Sequence, residues 1–268
     1  MRNLHGPCES VVNYVHPACS ETNSGLPSLY QREHNLLFKN RVIASFLRWA
    51  MNYLPQRDNS ITNNLRTWLS YDWSRRGEEW SNTPEWKNSL VEHVLKPHVP
   101  AGSRVLEIGP GGGRWTEHLI QRASNLTVVD LTPTCIEICK ERFKEFHNIE
   151  YFVNDGRSLD FIAEASIDRV WSWDVFVHIS SEDVREYIQQ LARVMKPHGQ
   201  ALIHHAKQGR QRSGWRSDMT DVKMREYCTE FGLEVLRQFE SWDGGKYSIW
   251  PDLMEEENPD IVTVFQKP

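Results

Sequence analysis

The sequence lacks any hydrophobic run long enough to cross a bilayer. Apolar stretches such as residues 42–47 are cut short by charge, there by Arg48, well under the ~18 residues that a span requires. It lacks the apolar segment of a secretory signal, because Arg2, His5 and Glu9 interrupt its start. No CxxC pair occurs, and the five cysteines are odd in number, which fits free thiols in a reducing cytoplasm. Cys135 and Cys139 stand four apart on an expected helix and share one face. They are expected to pack in the core, since no nearby spacing supplies two more zinc ligands. Basic charge is not in excess. Lys and Arg number 31 against 36 Asp and Glu, a formal charge of −5, which argues against stable binding to long nucleic acid through its phosphates. Internal repeats and low-complexity tracts are absent as well.

What is present is enough apolar residue (39%, with 25% charged) to build a core and exclude disorder. A chain of 268 residues fits one large domain with an extension. Residues 1–100 are expected to form an N-terminal coil and helical extension, and residues 101–268 the main domain. Pro7, Pro17, Pro27, Gly6 and Gly25 mark residues 1–30 as coil. Apolar residues at helical spacing predict helices over 31–54, about 61–73 and 83–95, the last with Thr83 as N-cap and Pro84 behind it. Five of the eleven tryptophans fall between Trp49 and Trp86.

From Arg104 the pattern alternates. Strands are expected at 104–108, 126–131, 149–153, 167–173, 200–204, 233–239 and 261–266. Helices are expected at 113–123, 132–146, 180–195 and 219–231. Such alternation implies an α/β fold with a parallel sheet covered on both faces.

The strongest local signal is VLEIGPGGG at 105–113. Glycines 109, 111 and 113 carry the chain from a strand into a helix, where a ligand must approach without a Cβ in its way. Arg114 stands where a dinucleotide fingerprint requires glycine, and Pro110 removes a backbone donor, so a pyrophosphate cradle is disfavoured. Asp130, with Leu131 beside it, ends the second strand, where a carboxylate can accept ribose hydroxyls. Asn154-Asp155-Gly156 ends the third, and Trp173-Asp174-Val175-Phe176-Val177-His178 ends the fourth.

These motifs, with KPHG at 196–199, resemble the class I S-adenosylmethionine-dependent methyltransferases over residues 104–268. The run VLEIGPGGGRWTEHL is most similar to the branch acting on sugars, natural products and other small metabolites. The resemblance implies a Rossmann-like seven-stranded sheet of order 3-2-1-4-5-7-6, with the last strand antiparallel, behind an N-terminal helical extension. It implies S-adenosyl-L-methionine as cofactor. Gly109 and Gly111 would lie along its methionine part, with Glu107 reaching the amino group through the loop. Asp130 would hold the ribose, Asp155 and the Gly156 backbone would address the adenine, and Trp173 and Asp174 would line the far side. Trp73 and Trp80 would belong to a lid; the competing reading is that they pack the extension against the sheet.

The acceptor is expected beyond the carboxyl ends of the strands. If its nucleophile is a hydroxyl, a base must take the proton, and imidazole is the usual one near neutral pH. His178 is the first candidate, against a reading as a cap of the next helix. His204 and His205 follow, and one at most should face the cofactor. Lys207, Arg210, Arg212 and Arg216 on a glycine-broken segment could clamp an anionic acceptor or simply be solvated. The expected activity is methyl transfer to a small molecule, at oxygen first. An amine, a peptide carboxylate and a non-enzymatic scaffold are the rivals. No metal is assigned, although Asp174 and His178 could supply two ligands; no membrane partner is expected, and the sequence leaves the oligomeric state open.

Overall fold

The computed structural model describes residues 59–209, 216–253 and 257–268. The expected coil at 1–30 and helix at 31–54, together with Cys8, Cys19, Trp49, Arg210, Arg212 and Trp215, lie outside the described residues.

The described chain opens with α1 (Ile61–Leu69), whose N-cap is Ser60. Two short 3-10 turns follow, Trp73–Arg75 and Glu78–Trp80. Helix α2 (Pro84–Leu90) starts as its sequence dictates, with the Thr83 side chain accepting from the Trp86 N–H at 3.1 Å. It continues through a π-helical turn (Val91–Leu95) into Lys96–His98. Seven strands then build the main sheet: β1 (Ser103–Ile108), β2 (Ala123–Asp130), β3 (Ile149–Val153), β4 (Ile167–Phe176), β5 (Met195–Ala206), β6 (Glu234–Phe239) and β9 (Asp260–Gln266). Their order is β3-β2-β1-β4-β5-β9-β6. β9 runs antiparallel to both neighbours, and the pairings among the first five are parallel. This is the expected sheet, because β9 is its seventh strand in chain order.

Strand periodicity sends alternate residues to opposite faces. Val105, Trp171, Leu202 and Val264 join one buried cluster, with Trp86, Leu90, Val94 and Leu95 of the α2 region and Ile136 of α4 (Pro133–Arg142). Their neighbours Leu106, Val170, Ile203 and Phe265 join a second cluster on the other face. There they meet Val184, Ile188 and Leu191 of α5 (Ser181–Val194) and Met224 of α6 (Asp221–Glu230). Both faces are therefore covered, as a parallel sheet requires. Residues 84–98 share the core of the sheet.

Three elements differ from the sequence reading. The helix expected over 113–123 shrinks to α3 (Thr116–Leu119), because the glycines at 109, 111 and 113 take positive φ and hold the chain out of a right-handed helix. The KPHG turn is absorbed into β5, with His198 at φ 62 and its N–H on the Lys267 carbonyl. A small hairpin, β7 (Ser241–Trp242) with β8 (Tyr247–Ser248), was not expected. Its signal was present in Asp243-Gly244-Gly245, all three of which have positive φ.

Trp86 ties residues 84–98 to this hairpin and to the sheet. It is 4% exposed, donates to the Ser248 carbonyl at 2.7 Å, and meets Trp173 and Trp242 edge-on. Trp86→Ala should cost about 3–5 kcal/mol of stability, read by chemical denaturation. A loss under 1 kcal/mol would show that this helix is not part of the cooperative core.

Candidate active site

The cleft opens where β1, β2 and β4 end. Gly109, Gly111, Asp130, Leu131, Gly156, Trp173 and Asp174 line it, as do Trp73, Trp80 and His178. The glycine run is crowded from outside. A Cβ on Gly111 would lie 2.6 Å from the Trp73 ring, and one on Gly112 would lie 2.4 Å from the Arg76 Cα. Gly112 has no positive φ, so its glycine is demanded by the backbone that lies on it.

Under the run sits Glu107, 1% exposed. Its Oε2 accepts from the Thr116 hydroxyl at 2.6 Å, and its Oε1 is buried with no partner among the described residues. Burial lifts its carboxyl to about 8, so it holds a proton at neutral pH. Asp130 is lifted to about 6 by the same cause. Its Oδ1 accepts from both the Thr132 N–H (2.7 Å) and the Thr132 hydroxyl (2.8 Å), while Oδ2 takes only a long bond from Gly111 N–H (3.4 Å). Oδ2 is thus the oxygen with room for a further donor such as a ribose hydroxyl.

The third strand's turn is wired differently from the sequence expectation. Asp155 is exposed and does not line the cleft. Its Oδ1 accepts from the Arg157 and Ser158 N–H groups, which overcome partial burial and keep its carboxyl below the usual range. Asn154 bridges the Ser158 carbonyl and the Tyr187 hydroxyl, and it is Gly156 and Tyr187 that reach the cleft.

At the end of β4, Asp174 adopts φ 62, a conformation rare for a residue with a side chain. Two partners hold it. Its carboxylate pairs with Arg114, and His204 Nδ1 lies 3.1 Å from both its Oδ1 and its backbone N, donating to the former when protonated and accepting from the latter when not. Burial opposes its ionisation, but Arg114 and His204 win and hold it well below the usual carboxylate range. His204 Nε2 stands 3.6 Å from Asp260 Oδ2, an ionic contact rather than a hydrogen bond. Burial disfavours the imidazolium, yet the two carboxylates raise its proton affinity overall. Asp260, fully buried, is gripped by Arg216 at 2.7 and 2.8 Å and by Trp250 Nε1 at 2.8 Å.

Neither strand-five histidine reaches the cleft lining. His204 is 1% exposed behind Trp173, whose ring lies 4.7 Å away. His205 is on the opposite face, 0% exposed. Its Nδ1 donates to the Ala206 carbonyl (2.8 Å), so its Nε2 accepts from Thr263 (2.7 Å), and burial lowers it to about 4. Arg216 and Lys207 are held by Asp260 and Glu240, so the expected anion clamp does not draw on them. Trp173 lines the cleft and also stacks in the core on Trp171.

His178 does reach the cleft. Its carbonyl accepts from Asn59 (3.0 Å) and Asn64 (2.8 Å), and its ring packs on Trp68 at 5.1 Å. Trp68, Tyr71, Trp73 and Trp80 form a closed knot, every pair of ring centroids lying between 4.9 and 6.1 Å apart. Sequence reading named Trp73 and Trp80 but missed Asn64, Trp68, Arg114 and Tyr187. The i, i+4 spacing of Asn64 and Trp68 on one helix was the available signal. Among the described residues, no group of three His, Cys, Asp or Glu side chains is placed to hold a metal, and no helix is long and apolar enough to cross a membrane.

A seven-stranded sheet of this order, with a glycine run and an acidic β2 end at its cleft, defines a Rossmann-like methyltransferase fold. Residues 105–199 match the family described as "Methyltransferase domain". The chain is 30% identical over 105 residues to a demethylmenaquinone methyltransferase of Tropheryma whipplei, covering 39% of this chain and 42% of that protein. It is 25% identical over 187 residues to the mitochondrial ubiquinone biosynthesis O-methyltransferase of Schizosaccharomyces pombe, covering 63% and 65%. The chain thus spans less than two thirds of the length of these relatives. Among solved structures, the N-methyltransferase NodS of Bradyrhizobium japonicum, in complex with S-adenosyl-L-homocysteine, aligns with TM-score 0.59 at 21% identity over 79% of this chain and 100% of that one. At that identity the likeness concerns the fold. Residues 105–199 thus match a methyltransferase domain within a chain of methyltransferase fold, and S-adenosylmethionine is the cofactor that such a domain implies. The residues here fit it: a buried carboxyl oxygen without a partner among the described residues lies under the run, and a strand-end carboxylate has one oxygen to spare.

Two outcomes test this geometry in the protein alone. Gly112→Ala should push residues 73–80 off the run, and trypsin should then cut faster after the exposed Arg75 and Arg76; an unchanged cleavage rate would refute the contact. Glu107 has a raised folded pKa, so its contribution to stability is full below the ordinary carboxyl range and lost as pH rises through about 8. Glu107→Gln should therefore flatten the fall in melting temperature between pH 5 and 9, relative to wild type.

Proposed function

We propose that the protein transfers a methyl group from S-adenosylmethionine to a small-molecule acceptor, with a hydroxyl oxygen as the methyl-receiving atom. The observation that carries this reading is the entry of His178 into the cleft that also holds the glycine run and Asp130. The bound cofactor supplies an activated methyl on a sulfonium. Asp130 Oδ2 would accept from the ribose, and the Gly156 backbone with Tyr187 would bound the adenine end. Glu107, protonated in the free protein, would face the amino end from beneath the run.

Enclosure is supplied by the chain itself. Trp68, Trp73 and Trp80 make one wall, with Tyr71 packed among them, and closing out water strengthens every polar contact inside. His178, fixed through its carbonyl by Asn59 and Asn64, would take the hydroxyl proton as the oxygen–carbon bond forms. An O-methyltransferase among the relatives supports the choice of oxygen; the N-methyltransferase NodS, which shares the fold, keeps an amine as the rival. The apolar lining supplied by Ile61, Trp68, Val175 and Ile179 suits an uncharged acceptor.

Paired substitutions separate the roles. Asp130→Ala should weaken S-adenosylhomocysteine binding by about 1.5–3 kcal/mol in calorimetry, the worth of a hydrogen bond to a charged group. His178→Ala should leave that affinity intact and lower turnover about 10²–10⁴-fold against a panel of hydroxyl acceptors. Normal turnover in a folded His178→Ala protein would remove the base, and a panel in which only amines react would remove the hydroxyl.

A further inference from the structure

Arg114 lines the cleft, and its place in the sequence carries no sign of a binding role. It leaves the glycine run at its end and is 4% exposed. Its guanidinium lies 4.7 Å from the Trp115 ring centroid and 5.8 Å from that of Trp80. One terminal nitrogen, Nη2, donates to Asp174. The other, Nη1, is buried with no partner among the described residues.

A guanidinium cannot shed its proton to relieve burial. A donor left unpaired in such a place is costly, so its persistence points to a ligand that completes it. The shape of the site says what kind. Two indole rings flank the planar group. Asp174 holds one part of the fork, and it does so from a strained backbone that His204 secures. A fork with one arm filled and fixed presents the other to a second planar anion, and a carboxylate matches that geometry.

We propose that Arg114 is the carboxylate receptor of this cleft, Nη1 donating to the carboxylate of the bound amino-acid moiety. This rests on the reading of the cleft as a cofactor site. Charge selects the source. Arg114 and Asp174 already cancel, so a lone carboxylate on the acceptor would leave one uncompensated negative charge in a buried place. The amino-acid end of the cofactor brings its own ammonium and leaves the balance unchanged. The orphaned Oε1 of Glu107, beneath the same run, is the counterpart acceptor for that ammonium.

The test is calorimetry on the full chain with three probes: S-adenosylhomocysteine, its decarboxylated analogue and 5′-methylthioadenosine. Wild type should bind the first at least tenfold more tightly than the decarboxylated analogue, with methylthioadenosine as a control lacking both charges. Arg114→Lys keeps the charge and loses the fork. It should weaken S-adenosylhomocysteine about tenfold and bind the decarboxylated analogue as wild type does. Equal weakening of both probes would make Arg114 a structural partner of Asp174 only and overturn the proposal, as would equal wild-type affinity for both. If Arg114→Lys instead raises KM only for carboxylate-bearing acceptors, the receptor stands but the cofactor assignment is overturned. The wild-type comparison holds even if the variant fails to fold. Failure of wild type to bind S-adenosylhomocysteine at all would strike the cofactor reading itself, a result distinct from loss of discrimination between the probes.

Discussion

Everything at this cleft depends on a stretch of backbone that other groups must touch directly. The run from Gly109 to Gly113 is pressed by Val175 of the β4 end, by the Trp73 ring and by the Arg76 backbone. Each contact is closer than any β-carbon allows. The glycines thus serve two purposes at once. They free the surface on which a ligand is read, and they let residues 73–80 close over that surface without a gap. A side chain at 112 would leave φ unstrained and still prise the cover away. Here conformational permissiveness and close approach are separable demands, met at neighbouring positions.

The second organising feature is a buried row of alternating charge, Arg114–Asp174–His204–Asp260–Arg216. Such a row is expensive to desolvate and stabilises little in net terms. What it does supply is direction. Asp174 keeps φ 62 with Arg114 and His204 as its partners, and Arg114 is oriented by its pairing with Asp174. Because the two arginines already balance the two aspartates, an imidazolium at His204 would add a net positive charge. That charge would lie one residue removed from the cleft, behind Trp173.

Much of the fold was legible in the sequence, because strand and helix periods differ and glycine and proline punctuate them. Paired neighbours such as Val105 and Leu106, or Trp171 and Val170, do face opposite clusters. The cleft residues near strand ends, Asp130 and Asp174 among them, were legible because a parallel sheet fixes where its strands stop. Less legible was which atom of each residue is already spent. Asp155 occupies the expected position but caps its own turn through Arg157 and Ser158. His204 and His205 are sequence neighbours that share a strand end, yet the groups facing their Nε2 atoms, Asp260 and Thr263, come almost 60 residues on. Those pairings are set by β9 lying between β5 and β6, a long-range fact with no local trace.

Arg114 was hidden for a related reason. In sequence it reads as the residue that spoils a dinucleotide fingerprint, an argument about what is missing. In space it is a cation held between Trp80 and Trp115, with one arm on Asp174. The three partners come from before the sheet, from just after the run and from the end of β4. The same separation applies to the cover. Glu78 and Glu117 both pair with Lys87, and Glu117 also pairs with Arg142, which donates to the Gly112 carbonyl at 2.8 Å. Residues 73–80 are thereby tied to the glycine run by charge as well as by shape. A displaced cover would expose Trp73 and Trp80 to water and remove one of the two rings that flank Arg114. Closing the cleft and orienting its buried cation are therefore one structural event rather than two.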